Sequence, residues 1–70
     1  MSKKIETITA KLEKIKEDLT GLAEEARNKW NSRSVKWQES ERGDEEDERI
    51  SAMEDAADSI GDAIDYLSEA

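Results

Sequence analysis

A chain of 70 residues with formal charge −8, and with only eleven Leu, Ile and Val and no Phe, has room for one small domain. By composition alone it falls in the disordered class, where apolar burial does not offset ordering entropy. The absence of Cys and His excludes disulfides, thiol chemistry and thiolate metal sites, and removes the commonest general base and zinc ligand.

The order of the apolar residues argues against disorder. In the first part they fall at Ile5, Ile8, Leu12, Ile15, Leu19, Leu22 and Ala26, alternating three and four as the a and d positions of a heptad, and so form one stripe on a helix. After Ala26 the stripe passes to Trp30 and Trp37 by a four-residue step, a stutter that shifts the seam around the helix. Gly21 after Thr20 allows a break, which would give a three-helix bundle. The stripe crosses residues 19–22 in register, however, and one interior Gly costs only ~1 kcal/mol, so a continuous helix over 3–42 is expected.

Gly43 is a suitable left-handed stop and Asp44 a suitable N-cap, with acids following at the positive end of the next dipole. A turn at 43–44 and a second helix over 45–68 follow. That helix repeats the alternation with Ile50, Met53, Ala57, Ile60, Ile64 and Leu67, widened by Ala56, Ala63 and Ala70 at g, a width that suits a packed bundle. So short a connection folds the helices antiparallel. It places Trp37 near Ile50, Trp30 near Ala57 and Ala26 near Gly61. The second helix then covers the first only back to about Leu19, and leaves Ile5, Ile8, Leu12 and Ile15 on an overhang of roughly ten to fourteen residues, ~15–21 Å. Self-association through Ile5, Ile8, Leu12, Ile15 and Leu19 is the expected way to cover it. The expected architecture is an all-α antiparallel hairpin, residues 1–70 forming one helical domain that assembles as a dimer or four-helix-type bundle.

The charge divides unevenly. Residues 1–43 are net +2, whereas residues 44–70 hold eleven acids and one Arg, net −10. Such a polyanion repels nucleic acid and anionic membrane and complements a basic protein surface. No apolar run reaches the ~20 residues of a membrane span or the roughly 7–15 of a signal-peptide core, so a cytoplasmic location is expected.

On the second helix Glu48, Asp55, Asp62 and Glu69 occupy f, and Asp58 and Asp65 occupy b, the positions farthest from the seam. With Asp44 they make an acidic stripe, and the helix as a whole, net −10 over ~36 Å, carries about one charge per ~3.6 Å, close to the ~3.4 Å of axis per charge on one DNA strand. Partner binding by mimicry of a phosphate backbone is the sharp reading. The plain one is a solvated face that keeps the protein soluble. Trp30, Arg33 and Trp37 form the second candidate. Indoles seven apart share a helix face with Arg33 between them, either as an interaction hot spot or as a cap over Ile50, Met53 and Ala57. The Asp55/Asp58 and Asp62/Asp65 pairs lack the order of a calcium loop, and exposed carboxylates lack the desolvated cleft of acid–base catalysis. No metal, cofactor or catalytic site is expected.

The run Trp30-x-x-Arg33-Ser34-x-Lys36-Trp37-Gln38-Glu39-Ser40-Glu41-x-Gly43 resembles a stretch in short, acidic, largely uncharacterised helical proteins encoded by phages and mobile elements. The likeness covers residues 30–43 and, more loosely, the acidic second helix with its Ile-x-x-x-Ile-x-x-Leu ending; it does not extend to residues 1–25. It implies a setting, the cytoplasm of a host cell, in which small acidic proteins inhibit nucleic-acid-binding machinery, and it transfers no functional residue. The expected function is a non-catalytic module whose acidic helix engages a basic protein surface as a DNA mimic. The alternative is a structural protein that works through coiled-coil self-association.

Overall fold

The structure, a computed structural model, describes residues 2–69; Ala70 of the g line lies outside them. Its elements are α1 (Lys3–Ser32), α2 (Val35–Gln38) and α3 (Glu41–Glu69). Helix α1 packs along α3 as an antiparallel hairpin, and the single-turn α2 packs against α3.

Helix α1 starts at Ser2, whose hydroxyl accepts from the Ile5 N–H at 3.2 Å, satisfying one of the orphan donors of the first turn. It runs through Gly21 without interruption. A Cβ at Gly21 would meet nothing within 4 Å, so that glycine is neither a break nor a packing device, and the three-helix alternative with a break there does not form.

The helix ends ten residues before the stop expected at residue 42. Arg33 is extended (φ −77°, ψ 160°), and Ser34 begins a new turn by accepting from the Trp37 N–H at 3.2 Å. The physical reason lies in Asn31, Ser32 and Ser34, polar side chains that compete for the backbone bonds a helix would use. Ser32 Oγ donates to the Lys29 carbonyl at 2.8 Å. The carbonyls freed at the end of α1 are taken by the Gln38 amide, which donates to those of Trp30 (3.0 Å), Asn31 (3.3 Å) and Arg33 (3.1 Å).

Helix α3 starts at Glu41, ahead of the expected residue 45. Ser40 fills the N-cap role assigned to Asp44: its hydroxyl accepts from the Gly43 N–H at 3.2 Å and donates to the Trp37 carbonyl. Asp44 sits in the first turn, its own N–H bonded to the Ser40 carbonyl at 3.0 Å. Gly43 is likewise no left-handed stop; it is helical, buried and without positive φ. It is small because α2 passes over it. A Cβ there would overlap the carbonyl oxygens of Trp37 and Gln38.

Moving the turn moves the register. Gly61 faces Lys16 rather than Ala26, a Cβ on it lying 3.2 Å from Lys16 Cε, and Trp30 meets Gly43 rather than Ala57. The longer, shifted α3 reaches back to about Ile8, so the overhang shrinks to roughly the first turn of α1 and the isolated arm of Ile5, Ile8, Leu12 and Ile15 does not exist.

The seam of α1 is also rotated from the expected one. Successive residues of a helix turn by about 100°, and the lines that face α3 are Ile5, Leu12, Leu19 and Ala26 together with Thr9, Lys16, Ala23 and Trp30, all buried or half-buried. The d line, Ile8, Ile15 and Leu22, stands to one side and is 52%, 51% and 57% exposed. On α3 the expected stripe does face inward: Ile50 and Ala57 are buried, and Met53, Ile60, Ile64 and Leu67 half-buried. With Ala23 as the only other buried apolar residue among those described, the core is thin.

Replacing Gly43 by Ala should destabilise the fold by about 1–3 kcal/mol, the usual cost of overpacking. Replacing Gly21 by Ala, into open space in a helix interior, should stabilise it by up to ~1 kcal/mol. Thermal unfolding followed by far-ultraviolet circular dichroism reads both, with opposite signs expected.

Candidate functional site

Two regions hold the residues singled out by the sequence. The first is the hairpin tip. Trp30, at the end of α1, and Trp37, in α2, lie on different helices and meet edge to face, ring centroids 6.5 Å apart at 65°, a favoured aromatic geometry. The Trp30 indole N–H donates to the Gly43 carbonyl at 2.8 Å, tying the end of α1 to the start of α3. Both indoles are half-buried and border a pocket with Ile50, one of the residues they were expected to cap. Arg33 does not lie between the rings; its guanidinium stacks on Trp37 alone, 4.1 Å from the centroid, while Arg27 lies 5.5 Å from that of Trp30. Arg27 is the residue the sequence reading passed over. It donates to Asp47 at 2.7 Å and to Glu54 at 3.3 Å, bridging α1 to α3 from a partly buried position. The hydrogen bond to Asp47, with a smaller one to Glu54, raises the Arg27 guanidinium above its ordinary value against the opposing pull of burial. The cation therefore persists across the whole accessible pH range.

The second region is the acidic stripe. Asp44, Glu48, Asp55, Asp58, Asp62, Asp65 and Glu69 are all exposed on α3. Among the described residues the ion pairs of α3 engage Glu46, Asp47 and Glu54 only, so the seven expected partner-binding carboxylates have no cation within ion-pair distance. Twelve acids and two arginines give α3 a net charge of −10. Over 29 residues, ~44 Å of helix, that is one charge per ~4.4 Å, somewhat sparser than the spacing inferred for the shorter helix.

The fold adds what a linear reading could not. A groove between the helices is lined from α3 by Asp58, Asp62 and Asp65 and from α1 by Glu13, Glu17, Asp18, Glu24 and Glu25, with Lys16 as its one cation and Leu22 and Ile64 as its apolar lining. The acidic face is thus two helices wide. The signal for it in the sequence, acids at b and f of the first heptads, is hidden by the lysines of the same helix, of which only Lys16 lines the groove.

The geometry also separates the Arg27 bridge from the exposed apolar flank. Antiparallel helices wind in opposite senses about a common direction, so the Ile8, Ile15 and Leu22 flank of α1 falls on the same face of the hairpin as the Met53, Ile60 and Leu67 flank of α3. Arg27 with Asp47 and Glu54, and Asp58 beside them, occupy the opposite face. Among the described residues no cluster of acids is arranged to hold a metal ion, and no helix is long and apolar enough to cross a membrane.

Comparison with protein-family models, with curated proteins and with solved structures finds no match to this chain.

Replacing Trp30 by Phe keeps the ring packing and removes the bond to the Gly43 carbonyl. The expected loss is about 1 kcal/mol, measured by urea unfolding, and it should vanish in a background where Gln38→Ala has already loosened the tip.

Proposed function

We propose that the chain is a non-catalytic protein-binding module whose acidic face engages a basic protein surface, one shaped to hold a nucleic-acid backbone. The observation that carries this reading is the set of outward carboxylates on α3, exposed and without cations of their own, continued across the groove by those of α1. A carboxylate already in an ion pair has spent most of its field internally, whereas an unpaired one projects it to a partner and accelerates encounter. Helix α3 holds these charges at fixed spacings, as a phosphate backbone does, and Asp holds them closer to the backbone than Glu would.

The hairpin tip supplies the second part of the proposed surface. Trp and Arg are the residues most enriched where binding energy concentrates, and Trp37 with the stacked Arg33 stands at the end of the molecule nearest Asp44 and Glu48. The carboxylates of α3 stand in water, outside the desolvated cleft that acid–base catalysis uses, which supports binding over chemistry.

The test is competition. The chain is immobilised, proteins are captured on it from the cell's lysate at moderate salt, and duplex DNA is added in excess. Displacement of the captured protein by DNA is expected, together with a loss of roughly tenfold or more in capture when Asp55, Asp58, Asp62 and Asp65 are all changed to Asn, because each neutralised contact weakens a salt-dependent interface. Capture that is indifferent both to DNA and to the four substitutions would overturn the reading in favour of a purely solubilising face.

A further inference from the structure

The face opposite the Arg27 bridge is unpartnered, and three observations say what covers it. The first is area. A compact protein of 7.9 kDa exposes about 4,400 Å²; this one exposes 5459 Å². The excess, about 1,000 Å², matches the ~800 Å² that each partner contributes to a standard specific interface.

The second is shape. The hairpin measures 52 × 15 × 12 Å with a radius of gyration of 15.9 Å, against about 11 Å for a globular chain of this length. It is a single layer of helices, and stable domains need two.

The third is charge. Lys4, Lys11, Asp18 and Glu25 run at seven-residue spacing beside the Ile8, Ile15 and Leu22 line, two cations followed by two anions. A second α1 laid antiparallel across Ile15 sets Ile8 of one copy on Leu22 of the other, Lys11 on Asp18 and Lys4 on Glu25. Every contact then occurs twice, as a two-fold interface requires. A parallel, in-register pairing brings lysines together at one end and acids at the other. Asp18 is held by Lys14 of its own chain at 3.1 Å, but that pair is exposed and rearranges at little cost.

We propose that a second copy of this chain docks on the exposed Ile8, Ile15 and Leu22 face, antiparallel about Ile15, to complete a four-helix bundle. The same two-fold lays α3 on α3 through its apolar flank and turns the Arg27 bridge of each copy outward. The inference is independent of what those acidic faces bind.

Sedimentation equilibrium at micromolar concentration should give twice 7.9 kDa for the unaltered chain. Lys11→Glu should weaken the dimer roughly tenfold, and Lys11→Glu with Asp18→Lys should restore it, a rescue available only to the antiparallel pairing. The chain has no Cys, so a single cysteine reports proximity without interference. Ile15→Cys should cross-link copies on mild oxidation, and Asp58→Cys, on the opposite face, should not. A monomer mass for the unaltered chain would overturn the proposal, as would equal cross-linking from both positions or no rescue by the charge swap.

Discussion

The passage of α2 over Gly43 governs the rest of the structure, because it fixes where the chain reverses and therefore which residue of α3 meets which residue of α1. Only a residue without a Cβ lets the Trp37 and Gln38 carbonyls come so close. Once they do, Trp30 reaches the Gly43 carbonyl, Arg27 reaches Asp47 and Glu54, and Lys16 lies across Gly61. Each of these contacts bridges α1 and α3 and depends on the same register. With so few apolar residues buried, these polar bridges and the stacked tip carry more of the specificity than they would in a larger core.

That register also gives the molecule two unlike faces. The Arg27 bridge closes one face with charge and leaves the carboxylates beyond it free. The other face keeps isoleucines and a leucine half in water. The proposed acidic interface and the proposed dimer seam are therefore compatible: a bundle closed on its apolar face leaves the outward carboxylates of both α3 helices facing the surroundings. A partner with a repeated basic groove would be engaged twice, and linked contacts bind more tightly than either alone.

Much of the secondary structure was legible because the heptad alternation is so regular. The continuity of α1 through Gly21, the inward stripe of α3 and the outward placing of its acids all follow from spacing alone. The turn was not legible, because two signals competed. Gly43-Asp44 has the composition of a stop and a start, while Ser34 and Ser40 carry weaker cap signals, and the choice falls to the serines only because Trp30 and Trp37 can then pack together across the reversal. The α1 seam was misplaced by one line for a related reason. A sequence shows that Ile8, Ile15 and Leu22 are apolar, but not that Thr9, Lys16 and Ala23 fit closer against α3.

The amino-acid sequence by itself determined that the chain is helical, that its charge gathers on the second long helix, and that those charges stand away from the seam. These are consequences of period and composition, which are local. Only the tertiary structure decided the register, the pairing of Arg27, the two-helix width of the acidic face and the identity of the residues left uncovered. Those depend on a single close approach between the backbone of α2 and the start of α3, where one missing methyl group decides how two long helices meet.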